Sequence, residues 1–228
     1  MSELHILDHI PVHLERQDLI QRLDLPESDP GLHGIAAALV TDVLQVARPQ
    51  ALFTVAYVKP LEDDAVAFNG VRFASKVLRQ NLDGVGRVFP YVATCGRELE
   101  SLPLPPGDFM APYMLDTLKE TILRVALGYL FEHIRRHYAL GRTAQMNPGS
   151  LPDWPLSEQR ALFSLFGNVE RLIGVRLSDT CLMFPIKSVS GLLFPTERTY
   201  LNCQLCRREV CPNRQAPLDP VLAEQYGV

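Results

Sequence analysis

No stretch of this chain approaches the roughly 20 consecutive apolar residues that a membrane-spanning helix needs. There is no surplus of positive charge either: 22 Lys and Arg stand against 26 Asp and Glu, a net charge of −4. A general nucleic-acid binder gains affinity by placing cations on phosphates and releasing counterions. Neither nucleic acid nor a membrane is therefore an expected partner. The amino terminus, Met-Ser-Glu-Leu-His-Ile-Leu-Asp-His, lacks the basic residues that open a secretory signal. The default compartment is then the cytoplasm, where structural disulfides are rare. The five cysteines are accordingly read as core residues, metal ligands or redox groups rather than bridges. The chain also lacks a nucleophile elbow, a phosphate-cradling glycine loop, internal repeats and low-complexity runs.

What is present suits a folded chain of one large domain. With 228 residues, 47% of them hydrophobic and 21% charged, it can bury a sizeable core. Helical spacing runs over residues 14–23 and 34–46. Residues 51–58 read as a strand, and residues 65–71 as its return after the acidic turn Glu62-Asp63-Asp64. A short helix is expected over 73–82 and a third strand over 88–94. Prolines break the chain between 101 and 107. The longest helix follows, over 113–138, with Met114, Leu115, Leu118, Ile122, Val125, Ala126, Tyr129 and Ile134 recurring at three and four. Residues 142–155 read as a loop, and Ser157 caps a helix expected to reach Ile173. The apolar runs 181–184 and 192–194 read as two short buried strands. Strands and helices mix without steady βαβ alternation, which predicts an α+β fold with a mainly antiparallel sheet. The expected organisation is an N-terminal α/β lobe over 1–100, a core over 108–200 and a cysteine-rich tail over 201–228, within one compact domain.

Three groups of residues can carry chemistry. Between the two apolar runs lies a polar segment with Pro185, Lys187, Ser188, Val189, Ser190 and Gly191. It reads either as ordinary hairpin turn chemistry or as a grip on a small polar ligand. Asp116 and Glu120 stand four apart on one face of the long helix, either a solvated charged face or one wall of a pocket. Cys203, Cys206 and Cys211 fall within nine residues among Gln204, Arg207, Arg208 and Arg214. Basic neighbours favour thiolates, and thiolates at this spacing hold zinc or an iron–sulfur cluster. A redox dithiol and free surface thiols are the other readings, and no fourth ligand is identifiable; Cys95 and Cys181 qualify only if the fold brings them near. His133 and His137 are i, i+4 but lack the glutamate of a metalloprotease motif, so they read as a helix-surface pair. The same reading applies to His9 and His13.

The order of these residues resembles the activation domain of vitamin B12-dependent methionine synthase. Leu177, Ser178, Asp179 and Thr180, then Met183, Pro185 and Ser188-Val189-Ser190-Gly191, follow that family's Leu-Thr-Glu-Ser…Met-x-Pro…Ser-Val-Ser-Gly stretch. Upstream, Asn147-Pro148-Gly149-Ser150 is similar to its Pro-Gly-Tyr loop, and Asp116-Thr-Leu-Lys-Glu120 to its Asp-x-Leu-x-Glu helix. The resemblance covers roughly residues 108–200, and it implies a curved antiparallel sheet with helices. It further implies an accessory subunit that binds S-adenosylmethionine through Glu120, Pro148, Gly149, Ser188, Val189, Ser190 and Gly191. Such a subunit supports reductive reactivation of a cobalamin-dependent methionine synthase, with the cobalamin on the partner. Gln145 stands where the family has an arginine for the ligand's carboxylate, and Ser150 where it has an aromatic residue. Arg142 and Trp154 are the nearby residues of matching type, and Tyr200 stands near a family tyrosine. Two further readings stay open: a metal-cluster electron-transfer or scaffold protein, and an activator of another corrinoid methyltransferase.

Overall fold

The computed structural model describes residues 3–26, 29–197, 200–211 and 214–227. In chain order the elements are β1 (Leu4–Leu7), α1 (Arg16–Gln21), α2 (Pro30–Val46), β2 (Gln50–Thr54), β3 (Ala56–Pro60), β4 (Ala65–Phe68), β5 (Val71–Ala74), α3 (Lys76–Asn81) and β6 (Arg87–Thr94). They continue with α4 (Met110–His137), β7 (Thr143–Met146), α5 (Gln159–Ser164), α6 (Val169–Ile173), β8 (Arg176–Leu177), β9 (Met183–Phe184), β10 (Ser188–Pro195) and α7 (Pro220–Tyr226). Single 3₁₀ turns cover Arg97–Ser101, Leu156–Glu158 and Asn202–Gln204.

Every strand pair is antiparallel. The centre of the sheet is β6, which pairs β10 along one edge. Its other edge takes β2 near one end and β3 near the other, so β2 and β3 act as one long strand bent at Val55. Beyond the bend, β1 adds to β2, β4 and β5 add to β3, and β7 closes the far side on β10. This bend curls the sheet.

Both faces of the sheet are covered. Leu52, Val92, Leu192 and Phe194 face a core with α3, α5, α6, α7 and the tail. Ala51, Phe53, Phe89, Tyr91, Ala93 and Leu193 face a core with α1, α2 and α4. The alternation is the period of two that side chains follow along a strand. Because both faces are buried, β6 reads as an almost unbroken apolar run. No helix among the described residues is long and apolar enough to cross a membrane.

The expected α+β class, the antiparallel sheet and the long helix are all present. Four local expectations differ. Residues 65–71 are not one strand: Asn69 and Gly70, both at positive φ, turn β4 back into β5. The helix expected from residue 73 begins at Lys76, where Ser75 Oγ accepts the Leu78 N–H at 3.0 Å. The helix expected over 157–173 is broken at Gly167, whose φ is +78°, and restarts behind the Asn168 cap as α6. The loop expected over 142–155 contains β7, which exists only because β10 is there to pair with it.

Candidate functional site

The largest correction concerns residues 177–194. The apolar runs do not form a hairpin around a polar turn. Met183 and Phe184 pair with Arg176 and Leu177, while Ser188-Val189-Ser190-Gly191 begins a long strand held by β6. Gly191 is therefore not a turn glycine. A Cβ there would stand 2.5 Å from Met146 O and 2.9 Å from Tyr91 Oη, and would collide with Asn147. Glycine is required because the neighbouring loop crosses directly over the strand.

That loop is Asn147–Ser150. Asn147 Nδ2 donates to Tyr91 Oη at 2.8 Å and to Ser190 O at 2.9 Å. Tyr91 in turn donates to Gln145 Oε1 at 3.2 Å. Burial raises the Tyr91 pKa, with the Asn147 hydrogen bond opposing, so the ring stays a neutral donor. Pro148 is buried and Gly149 is exposed, at φ +82°. The Gly149 N–H donates to Trp154 O at 2.7 Å, which closes the loop. Trp154 is only 1% exposed and packs edge-on against Phe73, so it offers no free flat surface.

The face of β10 that carries Val189 and Leu193 is turned to α4. Lys187 is fixed by its backbone, since Cys95 N–H donates to Lys187 O at 3.0 Å. Its Nζ lies 2.9 Å from Asp116 Oδ2 and 3.6 Å from Glu120 Oε2. Glu120 also pairs with Arg124 at 2.7 Å. Burial by itself would lower the Lys187 pKa, but the Asp116 hydrogen bond and the two carboxylates outweigh it, and the pKa rises. Ser188 Oγ donates to Pro185 O at 2.7 Å and lies 2.9 Å from Thr94 Oγ1. Ser190 Oγ is buried with no hydrogen-bond partner among the described residues.

Glu120, Arg124, Lys187 and Ser188 line a groove of about 510 Å³, together with Leu123, Leu127, Ile186, Val189, Arg214 and Gln215. Arg214 and Gln215 come from the cysteine-rich tail, a contribution that nothing in the sequence signals. The structure thus links Asp116 and Glu120 to Lys187-Ser188, and Ser190-Gly191 to the Asn147–Ser150 loop. Gln145 is used by Tyr91 in the sheet. Arg142 bonds Glu197 O at 3.5 Å on the surface. Tyr200 is buried beside Tyr226, away from the groove lining.

The tail is organised by one side chain. The Arg214 guanidinium donates to the carbonyls of Cys203 (3.3 Å), Cys206 (3.4 Å), Arg208 and Ala216 (3.2 Å). Gln215 N–H points at Cys203 Sγ, 3.4 Å away. No group of three or more His, Cys, Asp or Glu side chains is gathered as a metal site among the described residues. Cys95 is buried in the core shared with α2 and α4, whereas Cys206 packs against the core on the other face of the sheet. Burial, with Glu100 nearby, pushes the Cys95 thiol up to about 12, so it stays protonated. His133 and His137 stack on α4 with ring centroids 5.9 Å apart.

Residues 130–213 match the model of the family described as vitamin B12 dependent methionine synthase, activation domain. No curated protein matches the chain. Among solved structures, the chain is similar to a crystal structure of the MetH reactivation domain bound to AdoHcy. The TM-score is 0.56 at 16% identity, covering 89% of this chain and 82% of that one. The chain therefore carries the fold of a methionine synthase reactivation domain, and its segment 130–213 bears the sequence pattern of the corresponding activation-domain family.

Proposed function

We propose that this protein binds S-adenosylmethionine in the groove between α4 and β10 and supports reactivation of a cobalamin-dependent methionine synthase. The observation that carries the reading is convergence. Three motifs far apart in sequence meet on one strand: Asp116 and Glu120 through Lys187, and Asn147 through its 2.9 Å bond to Ser190 O.

On this reading Glu120 faces the ligand's cationic groups, and Ser188 to Gly191 with Pro148 and Gly149 shape the remainder of the site. A corrinoid held by a partner protein supplies the cobalt that, after one-electron reduction, accepts the methyl group. This chain's part is to hold the methyl donor in line and to exclude water from it. Cys203, Cys206 and Cys211 remain our candidates for holding zinc or an iron–sulfur cluster. Metal analysis of anaerobically purified protein should find metal that a Cys203→Ser, Cys206→Ser variant loses; metal-free wild-type protein would remove that assignment.

Calorimetric titration of the full chain with S-adenosylmethionine tests the main reading. Saturable binding to the wild type, weakened at least tenfold in Glu120→Ala, is the expected result. Absence of binding to the wild type would instead favour a scaffold or electron-transfer role, with Gln145 and Ser150 marking the lost ligand contacts.

A further inference from the structure

Cations crowd the carboxylates of the groove. Arg124 and Lys187 both reach Glu120, Lys187 also holds Asp116, and Arg214 shares the groove lining. Among the described residues, the two carboxylates are thus paired with Lys187 and Arg124, and Arg214 shares the groove, before any ligand enters. The three cations are not equivalent. Arg124 extends from the helix surface with its side chain 56% exposed, so it can swing into water. Arg214 is committed to the carbonyls of the tail. Lys187 is different: its side chain is only 20% exposed, and its backbone is pinned by Cys95 and by the Ser188 hydroxyl bonds.

A positively charged ligand therefore reaches Glu120 only by sharing it with Lys187. In a partly buried site the effective dielectric is about 20, so an ammonium within 4 Å of a carboxylate offsets most of the attraction that carboxylate can offer to a second cation. We propose that Lys187 is a specificity-determining residue of this groove, setting how far it distinguishes a sulfonium ligand from the neutral thioether of the same shape. The inference rests on the reading of the groove as a site for S-adenosylmethionine. With Lys187 present, charge gives S-adenosylmethionine little advantage over S-adenosylhomocysteine. With the ammonium removed, Asp116 and Glu120 regain their field and favour the sulfonium.

The test is calorimetry of the full chain with both ligands, in the wild type, Lys187→Met and Lys187→Arg. The wild type is expected to bind the two within about threefold of each other. Lys187→Met should shift the ratio toward S-adenosylmethionine by about tenfold, with the shift shrinking as salt rises. Lys187→Arg, which keeps the charge, should leave the ratio near the wild-type value. If methionine at this position does not fold, Lys187→Gln is read in the same way. An unchanged ratio in the uncharged variant, with both ligands still bound, overturns the role of Lys187 and leaves the ligand reading standing. Failure of the wild type to bind either ligand overturns that reading and the selectivity with it.

Discussion

Strand β10 and the cysteine-rich tail both stand out in the sequence, yet they are held in opposite ways. Residues 188–195 form hydrogen bonds on both edges, to β6 and to β7, and bury side chains on both faces of the sheet. The described residues of the tail between Cys203 and Ala216 belong to no sheet, and carbonyls among them gather on one guanidinium. A motif inside a sheet is constrained by packing as well as by any ligand. Gly191 shows this, because the crossing of Asn147 excludes any side chain there. A motif in a tail depends instead on one or two residues for its shape.

Substitutions at these places should break the contrast to different degrees. The largest effect is expected from Gly191→Ala, which forces a methyl against Met146 O and Tyr91 Oη. Overpacking of this kind should cost about 3 kcal/mol, read as a lower urea midpoint. A midpoint near the wild-type value would mean that the loop yields easily. Asn147→Ala removes the donor shared by Tyr91 Oη and Ser190 O and should cost about 1–2 kcal/mol by the same measurement. Arg214→Ala should leave the midpoint within about 0.5 kcal/mol while abolishing slow amide exchange over residues 203–208. A large global loss would show that Arg214 also secures the tail residues, such as Leu205, that pack into the core.

The smallest effect is a pH dependence at the seam between β1 and α4. Burial lowers the His133 pKa below its ordinary value, and His137 and His5 add to this. Glu132, Arg136, Tyr129 and His13 border the same groove. As pH falls below about 6.5, the unfolded chain takes up a proton that native His133 resists, so stability declines until the lower native pKa is passed. The urea midpoint should drop between pH 7.5 and pH 5.5, and by less in His133→Gln.

Long periodic elements were legible in the sequence, and short ones that depend on partners were not. The helix α4 shows its apolar stripe over many turns, and β6 reads as a strand because both its faces are buried. By contrast, β7 alternates over only four residues, too few to announce it; β10 makes it a strand. The Asn69-Gly70 hairpin and the Gly167-Asn168 break both carried their usual signals, yet continuous apolar patterns on either side masked them. Of the residues proposed for the site, Glu120, the Asn147–Ser150 loop and Ser188–Gly191 were visible as motifs. The role of Lys187 between Asp116 and Glu120 was not, because a lysine in a polar segment carries no mark of which carboxylates it will meet. Arg214 at the groove was hidden for the same reason: contacts between a tail and a helix leave no periodic trace.

Residues 116–120, 147–150 and 188–191 are proposed to form one ligand site. Hydrogen exchange on the full chain, with and without saturating S-adenosylmethionine, tests it most directly. Added protection is expected in all three segments, and none around the separate polar cavity lined by Asp64, Arg79 and Tyr226. Protection confined to that cavity, or absent from the three segments, would contradict it.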